Sequence, residues 1–359
     1  MLAAESGGTL GVEGVRMRRW LLLILAVLLA SVMGASSGGA SKPRADARQG
    51  TLETPVTKVR SVVIDTDMSV DDWMAILFLL HRSDVRVKAI TVSGTGVAHG
   101  IPGARNVIRL LDLAGRWDIP VAYGRATTYP GGHAFPAGWR PASDDMIGIP
   151  LPAPSRSISR LRAAKLIANV AARSPVEILA LGPLTNVADA LRASPTLRKR
   201  ITSLTIMGGA LDVPGNVGTG NAEWNVYVDP AAADIVLRSG NPSTLVPLDA
   251  TNAVPYNAPF FKRLGRNRRT AAARFVYEAL SRQMPGEGLF FWDPFAAAVL
   301  VEPSVAKLGK RAIRVFTTGA DAGRTVEARN GTRVRVALAG NRTRFENLFL
   351  ATLNAPPRG

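Results

Sequence analysis

Four carboxylates fall within eight residues in the run Ile64-Asp65-Thr66-Asp67-Met68-Ser69-Val70-Asp71-Asp72. Like charges this close repel, so the cluster is costly unless something shares it. A hard divalent cation relieves that repulsion, and calcium takes about six to eight oxygen ligands. A helix start would account for Asp71 and Asp72, which favour the positive end of a helix dipole. It leaves Asp65 and Asp67 unexplained. A metal here points to hydrolysis, because water beside a cation gives up a proton more readily and a nearby carboxylate can take it.

The cluster follows a β-branched run, Val59–Ile64, and precedes a helical pattern from about Asp71 to His81. The same alternation continues down the chain. Val85–Val92 reads as a strand and Arg105–Ala114 as a helix. Val176–Leu181 reads as a strand ending in Gly182-Pro183, with a helix from about Thr185. Ile201–Met207 is a strand ending in Gly208-Gly209, and Thr244–Pro247 is short and apolar. Strands alternating with helices predict an α/β fold: a single domain over 58–359, with a mostly parallel central sheet and helices on both faces. Ligands of such sheets bind at the carboxyl ends of the strands, where the polar clusters fall. The segment Tyr123–Pro154, rich in Gly and Pro, reads as a long loop over the sheet edge. Between Arg311 and Ala339 two alternating segments flank turn-rich stretches, which predicts a small antiparallel element, followed by a terminal helix near Arg344–Leu353.

The 359 residues are 47% hydrophobic, enough for a sizeable core, and contain no cysteine. Disulfides, thiolate metal sites and cysteine nucleophiles are therefore excluded. The net charge of +17 is spread over the surface, and no nucleic-acid-binding motif accompanies it, so no specific nucleic acid partner is expected. Arg16, Arg18 and Arg19 precede the apolar run Trp20–Leu29, and small residues follow to Ala40. That order predicts a secretory signal over 1–40 and a flexible linker over 41–57, hence a secreted or cell-envelope protein that touches membrane only through an uncleaved signal.

Beyond the acidic run, five further blocks occur in order: Leu181-Gly182-Pro183-Leu184-Thr185-Asn186, Met207-Gly208-Gly209, Gly215-Asn216 with Glu223-Trp224-Asn225, Val228-Asp229-Pro230, and Trp292-Asp293-Pro294. Together they resemble the inosine–uridine preferring nucleoside hydrolases, whose signature is Asp-x-Asp-Pro-Gly-x-Asp-Asp. The resemblance implies an N-ribohydrolase that uses Ca2+ and acts on a small nucleoside, and relatives occur as homo-oligomers. By the same resemblance Asp67, Asp72, Asp293 and the Leu181 carbonyl are the calcium ligands, and Asp67 is the general base. Asp71, Asn216, Glu223 and Asn225 match positions that hold ribose hydroxyls, Met207 lines the sugar pocket, and Asp65 orients its neighbours.

Three residues depart from the family pattern. Met68-Ser69 stands where Pro-Gly is usual, Thr95 near where an Asn reaches the sugar, and Trp292 where many members carry a His that protonates the leaving base. Tryptophan cannot be a general acid. It resembles instead the purine-specific inosine–adenosine–guanosine subgroup, in which the purine stacks between aromatic rings and solvent protonates it. Trp139 is the candidate second ring, and His133 of the same loop a possible proton donor; His81 and His99 read as structural. Two other readings stay open. A haloacid-dehalogenase-type phosphatase also places Asp-x-Asp after a first strand, although Asp71-Asp72 lies too close to serve as its second acidic pair. A nucleoside-binding protein that kept this fold and lost turnover would carry the same blocks.

Overall fold

The computed structural model describes residues 59–283 and 288–356; the expected signal and linker lie outside the described residues. Nine strands build one sheet: β1 (Arg60–Thr66), β2 (Val85–Val92), β3 (Val121–Tyr123), β4 (Val176–Ala180), β5 (Ile201–Met207), β6 (Ser243–Val246), β7 (Ala306–Val315), β8 (Thr325–Glu327) and β9 (Thr332–Gly340). Their spatial order is β3-β2-β1-β4-β5-β6-β9-β7-β8. Strands β1 to β6 are parallel, as is β9 on β6, whereas β7 is antiparallel to β8 and β9. From the centre the chain winds outward through β2 and β3, then returns and winds the other way through β4, β5 and β6. The reversal makes the β1/β4 boundary a topological switch point, where a crevice opens beyond the strand ends. The acidic run leaves β1 there, and Leu181 leaves β4.

Helices cover both faces. Val70–Leu80, Gly100–Leu113, Ala271–Gln283, Trp292–Val301 and Arg342–Leu353 contribute to the larger core; Ala163–Arg173, Thr185–Ala193 and Pro230–Leu237 contribute to the other. Val70–Leu80 and Trp292–Val301 pack on each other and are buried almost all round, as helices apolar on every face must be. Their N-termini meet: the Asp293 N–H donates to Asp71 Oδ2 at 3.3 Å.

Several boundaries differ from expectation for identifiable reasons. The helix expected from Arg105 begins at Gly100, because Pro102 sits in its first turn, where an N–H has no helical partner to lose. The loop expected from Tyr123 to Pro154 contains short helical turns at Ala137–Trp139, Arg140–Asp144 and Met146–Gly148. The antiparallel element begins at Ala306 and extends the main sheet; a register shift at Lys307/Leu308 breaks the alternation that would have marked its start. Among the described residues no helix is long and apolar enough to cross a membrane.

Candidate active site

A cleft of about 540 Å3 lies at the switch point. It is lined by Asp67, Asp71, Trp139, Leu181, Met207, Asn216, Glu223, Asn225, Trp292 and Asp293, so the structure brings together every candidate site residue except Asp72, which is buried beneath. Asp71, Asp72 and Asp293 each present a carboxylate oxygen within 4.8 Å of the others. Asp67 stands outside that tight trio, but Asp72 is the charge that raises its carboxyl most, and the Asp67 N–H donates to Asp72 Oδ1 at 3.2 Å.

Local structure explains the placement. Ser69 caps the helix Val70–Leu80, and its N–H and hydroxyl both donate to Asp72 Oδ2 at 2.9 Å. Thr66 Oγ1 donates to Asp72 Oδ1, and the single Ser69 hydroxyl proton is shared between Asp72 Oδ2 and Asp71 Oδ1. Asp67 is held by close backbone approach from two sides. A Cβ on Gly96 would lie 2.1 Å, and one on Gly182 2.5 Å, from Asp67 Cβ. The Val97 N–H donates to Asp67 Oδ2 at 3.2 Å. Asp65 is buried and orients as expected, accepting from Thr91 Oγ1 at 2.5 Å and Asn186 Nδ2 at 2.8 Å. The Met68-Ser69 departure has a structural reason. Met68 has φ 61° and donates its N–H to Thr66 Oγ1 at 3.1 Å, and a proline there could do neither. Its buried side chain and carbonyl, the latter accepting from Trp73 Nε1 at 3.0 Å, keep the turn in this left-handed form.

Opposite the carboxylates, Glu223 caps the short helix Trp224–Val228. Its oxygens accept from the N–H groups of Asn225 (2.8 Å), Gly209 (3.0 Å) and Val226 (3.2 Å). Asn225 Nδ2 donates to the Leu181 carbonyl at 2.9 Å, and Asn216 Oδ1 accepts from the Trp224 N–H at 3.1 Å. Thr95 is turned away from the cleft: its hydroxyl bonds to those of Ser93 (2.8 Å) and Thr185 (2.9 Å).

Two aromatic groups frame the outer cleft. Trp139 is 46% exposed and meets Trp224 edge-on, with centroids 5.2 Å apart; Phe135 stacks on Trp224 at 5.4 Å. On the other side Trp292 lies 5.6 Å from Phe290, and Tyr256 donates to Gln283 Oε1 at 2.6 Å. Phe135, Trp224, Tyr256 and Phe290 carried no assigned role in the sequence. Trp224 alone had a signal, its place between Glu223 and Asn225. His133 does not line the cleft; it stacks on Tyr227 at 3.9 Å and its Nδ1 is bonded to the Tyr227 carbonyl. His81 is buried and bonded to the Leu77 carbonyl, and His99 pairs with Asp144; neither lines the cleft.

Burial, reinforced by the Asp72 charge, pushes the Asp67 carboxyl well above the usual carboxylate range. Burial and the charges of Asp71, Asp72 and Asp67 do the same to Asp293. Burial raises Asp71 to about 6 and Glu223 to about 7. Without a cation the folded site thus binds protons that the unfolded chain, titrating near 4, has already released. Stability falls as pH rises wherever the native state holds more protons. In chelator, Tm is expected to drop between about pH 4 and about pH 7, and saturating calcium should flatten the drop. Thermal melts across that range check this; equal slopes with and without calcium would contradict it.

The inosine-uridine preferring nucleoside hydrolase family model matches residues 62–347. The chain is 35% identical over 279 residues to a pyrimidine-specific ribonucleoside hydrolase of Citrobacter koseri, covering 72% of this chain and 84% of that one. Among solved structures it resembles a plant nucleoside hydrolase, at 29% identity and TM-score 0.73 over 83% of this chain and 99% of the other. It also resembles a purine-preferring ribonucleoside hydrolase from Gardnerella vaginalis, at 26% identity and TM-score 0.71 over 82% of this chain and 98% of the other. With fold, ordered motifs and cleft in agreement, the chain belongs to the inosine–uridine preferring nucleoside hydrolase family and is a hydrolase of N-glycosyl bonds.

Proposed function

We propose that this nucleoside hydrolase is a calcium-dependent N-ribohydrolase that prefers purine ribonucleosides and is exported. The observation that carries the metal reading is the convergence of Asp72 and Asp293, both buried and drawn from the two ends of the domain, with the half-buried Asp71 presenting an oxygen within 4.8 Å and Asp293 Oδ1 finding no hydrogen-bond partner among the described residues. A buried, unpartnered carboxylate oxygen among mutually repelling carboxylates is the environment a divalent cation suits. Asp67, Asp72, Asp293 and the Leu181 carbonyl would hold it. A bound calcium ion would neutralise the cluster and make the attacking water more acidic.

The side chains supply the rest. Asp67 takes the proton from water as a C–O bond forms at the anomeric carbon and the C–N bond to the base breaks. Asp71, Asn216, Glu223 and Asn225 receive the ribose hydroxyls, and their oxygens favour positive charge developing on the sugar. The departing base takes its proton from solvent, since neither tryptophan beside it titrates. Purine preference is supported by the aromatic frame of Trp139, Trp224, Phe290 and Trp292, because stacking favours the larger ring system. A pyrimidine preference is the second reading, favoured by the Citrobacter relative's pyrimidine specificity. Export is supported by the order of basic, apolar and small residues over 16–40.

Release of hypoxanthine from inosine, measured beside uracil from uridine with and without chelator, tests the reading. Chelator-sensitive turnover with a higher kcat/KM for inosine is expected. Faster uridine cleavage would overturn the purine preference, and binding without turnover in the presence of calcium would favour a nucleoside-binding protein.

A further inference from the structure

Arg140 does not line the cleft, yet it touches both of its working parts. It follows Trp139 directly in the chain, and its Nη2 donates to the carbonyls of Gly94 (3.1 Å) and Ala98 (3.3 Å). Those carbonyls are the two ends of the loop that leaves β2. Between them the loop meets Asp67 three times: Gly96 backs onto its Cβ, the Val97 N–H donates to Oδ2 at 3.2 Å, and the Ala98 N–H donates to its carbonyl at 3.0 Å. Val97 and Trp139 both face the cleft.

One guanidinium group thus closes the loop that holds the Asp67 carboxylate and ties it to the residue bearing the exposed aromatic ring. The rest of the Trp139 segment is fastened elsewhere. Asp144 accepts from the His99 N–H at 2.8 Å, and Asn106 Nδ2 donates to the Asp144 carbonyl at 2.8 Å. Arg282 donates to the Ile147 carbonyl at 3.0 Å. Losing Arg140 would therefore remove the tie between the Gly94 and Ala98 carbonyls and the Trp139 end of the segment, while the His99–Asp144 contact still holds the loop's far end.

We propose that Arg140 is a positioning residue for the hydrolysis, keeping the Asp67 carboxylate in register with the base-stacking wall at Trp139. The proposal rests on the reading of Asp67 as general base. Groups that orient a metal-ligating or proton-accepting side chain typically contribute about 10- to 100-fold to activity. Arg140→Ala is expected to lower kcat by that factor and to raise KM for inosine. Arg140→Lys, which keeps a cationic donor, should recover part of the kcat loss. In the Trp139→Ala background the KM effect of Arg140→Ala should shrink while its kcat effect persists, because the ring is already gone and Asp67 is not.

The experiment measures kcat and KM of these variants well below their melting temperatures, with and without added methylguanidinium. Restoration of Arg140→Ala turnover by methylguanidinium supports positioning. A wild-type kcat, or a loss that follows only the unfolded fraction and is not restored, overturns it. Asp67→Asn is assayed alongside. If that variant turns over normally, the general-base reading fails on its own account; if it is inactive while Arg140→Ala is normal, only the positioning role fails.

Discussion

Asp67→Ala is expected to lower kcat on inosine by at least ~10³-fold, since it removes the proposed general base and a proposed metal-binding oxygen together. The carboxylate lies between two glycines, with the Val97 N–H on one oxygen and the buried Asp72 as the charge that raises it most. Alanine leaves an opening there that water can fill without reproducing the charge. The fold should tolerate the change, because relieving repulsion offsets the lost hydrogen bonds. Single-turnover release of hypoxanthine, with circular dichroism to establish folding, measures it. A folded variant within tenfold of wild type would remove Asp67 from the chemistry.

The second large effect concerns the base. Trp292→Ala is expected to reduce kcat/KM for inosine by roughly 10- to 100-fold, the equivalent of ~1–3 kcal/mol of base–aromatic stacking, and to affect uridine far less. Trp292 immediately precedes Asp293 in the first turn of a buried helix, so it is held by the same element that brings the carboxylate into the cleft. Initial rates on both nucleosides give the comparison. Equal losses would mean that the ring shapes the site generally and does not select purines.

Much of the scaffold was legible because it rests on local signals. The parallel strands are apolar runs ending in polar or glycine residues, and the first ends in four aspartates, which no core position tolerates without a purpose. That the polar clusters lie at the carboxyl ends of the strands followed from where those runs end. The site was legible to the extent that its residues sit in contiguous blocks. Asp293 carries no local mark of its own; an aspartate at a helix start is ordinary, and the match to Trp-Asp-Pro singled it out.

What stayed hidden is tertiary. Thr95 stands near where an amide would reach the sugar, yet its hydroxyl turns inward to neighbouring Ser93 and to Thr185, which lies 90 positions away. Phe135, Tyr256 and Phe290 join the aromatic frame from separate segments, and isolated aromatics in a sequence look like core. The Met68 turn was uncertain because its left-handed backbone depends on a buried methionine anchor, which no residue-type rule anticipates. Arg140 acts through two carbonyls, and backbone acceptors leave no trace in the sequence.

Calcium titration by calorimetry, run on the chelator-treated protein and on Asp293→Asn, bears most directly on the proposed centre. One ion per chain for the wild type is expected, with binding weakened at least tenfold in the variant and inosine cleavage returning in step with occupancy. Unimpaired hydrolysis by metal-free protein, or equal calcium affinity in the two chains, would contradict it.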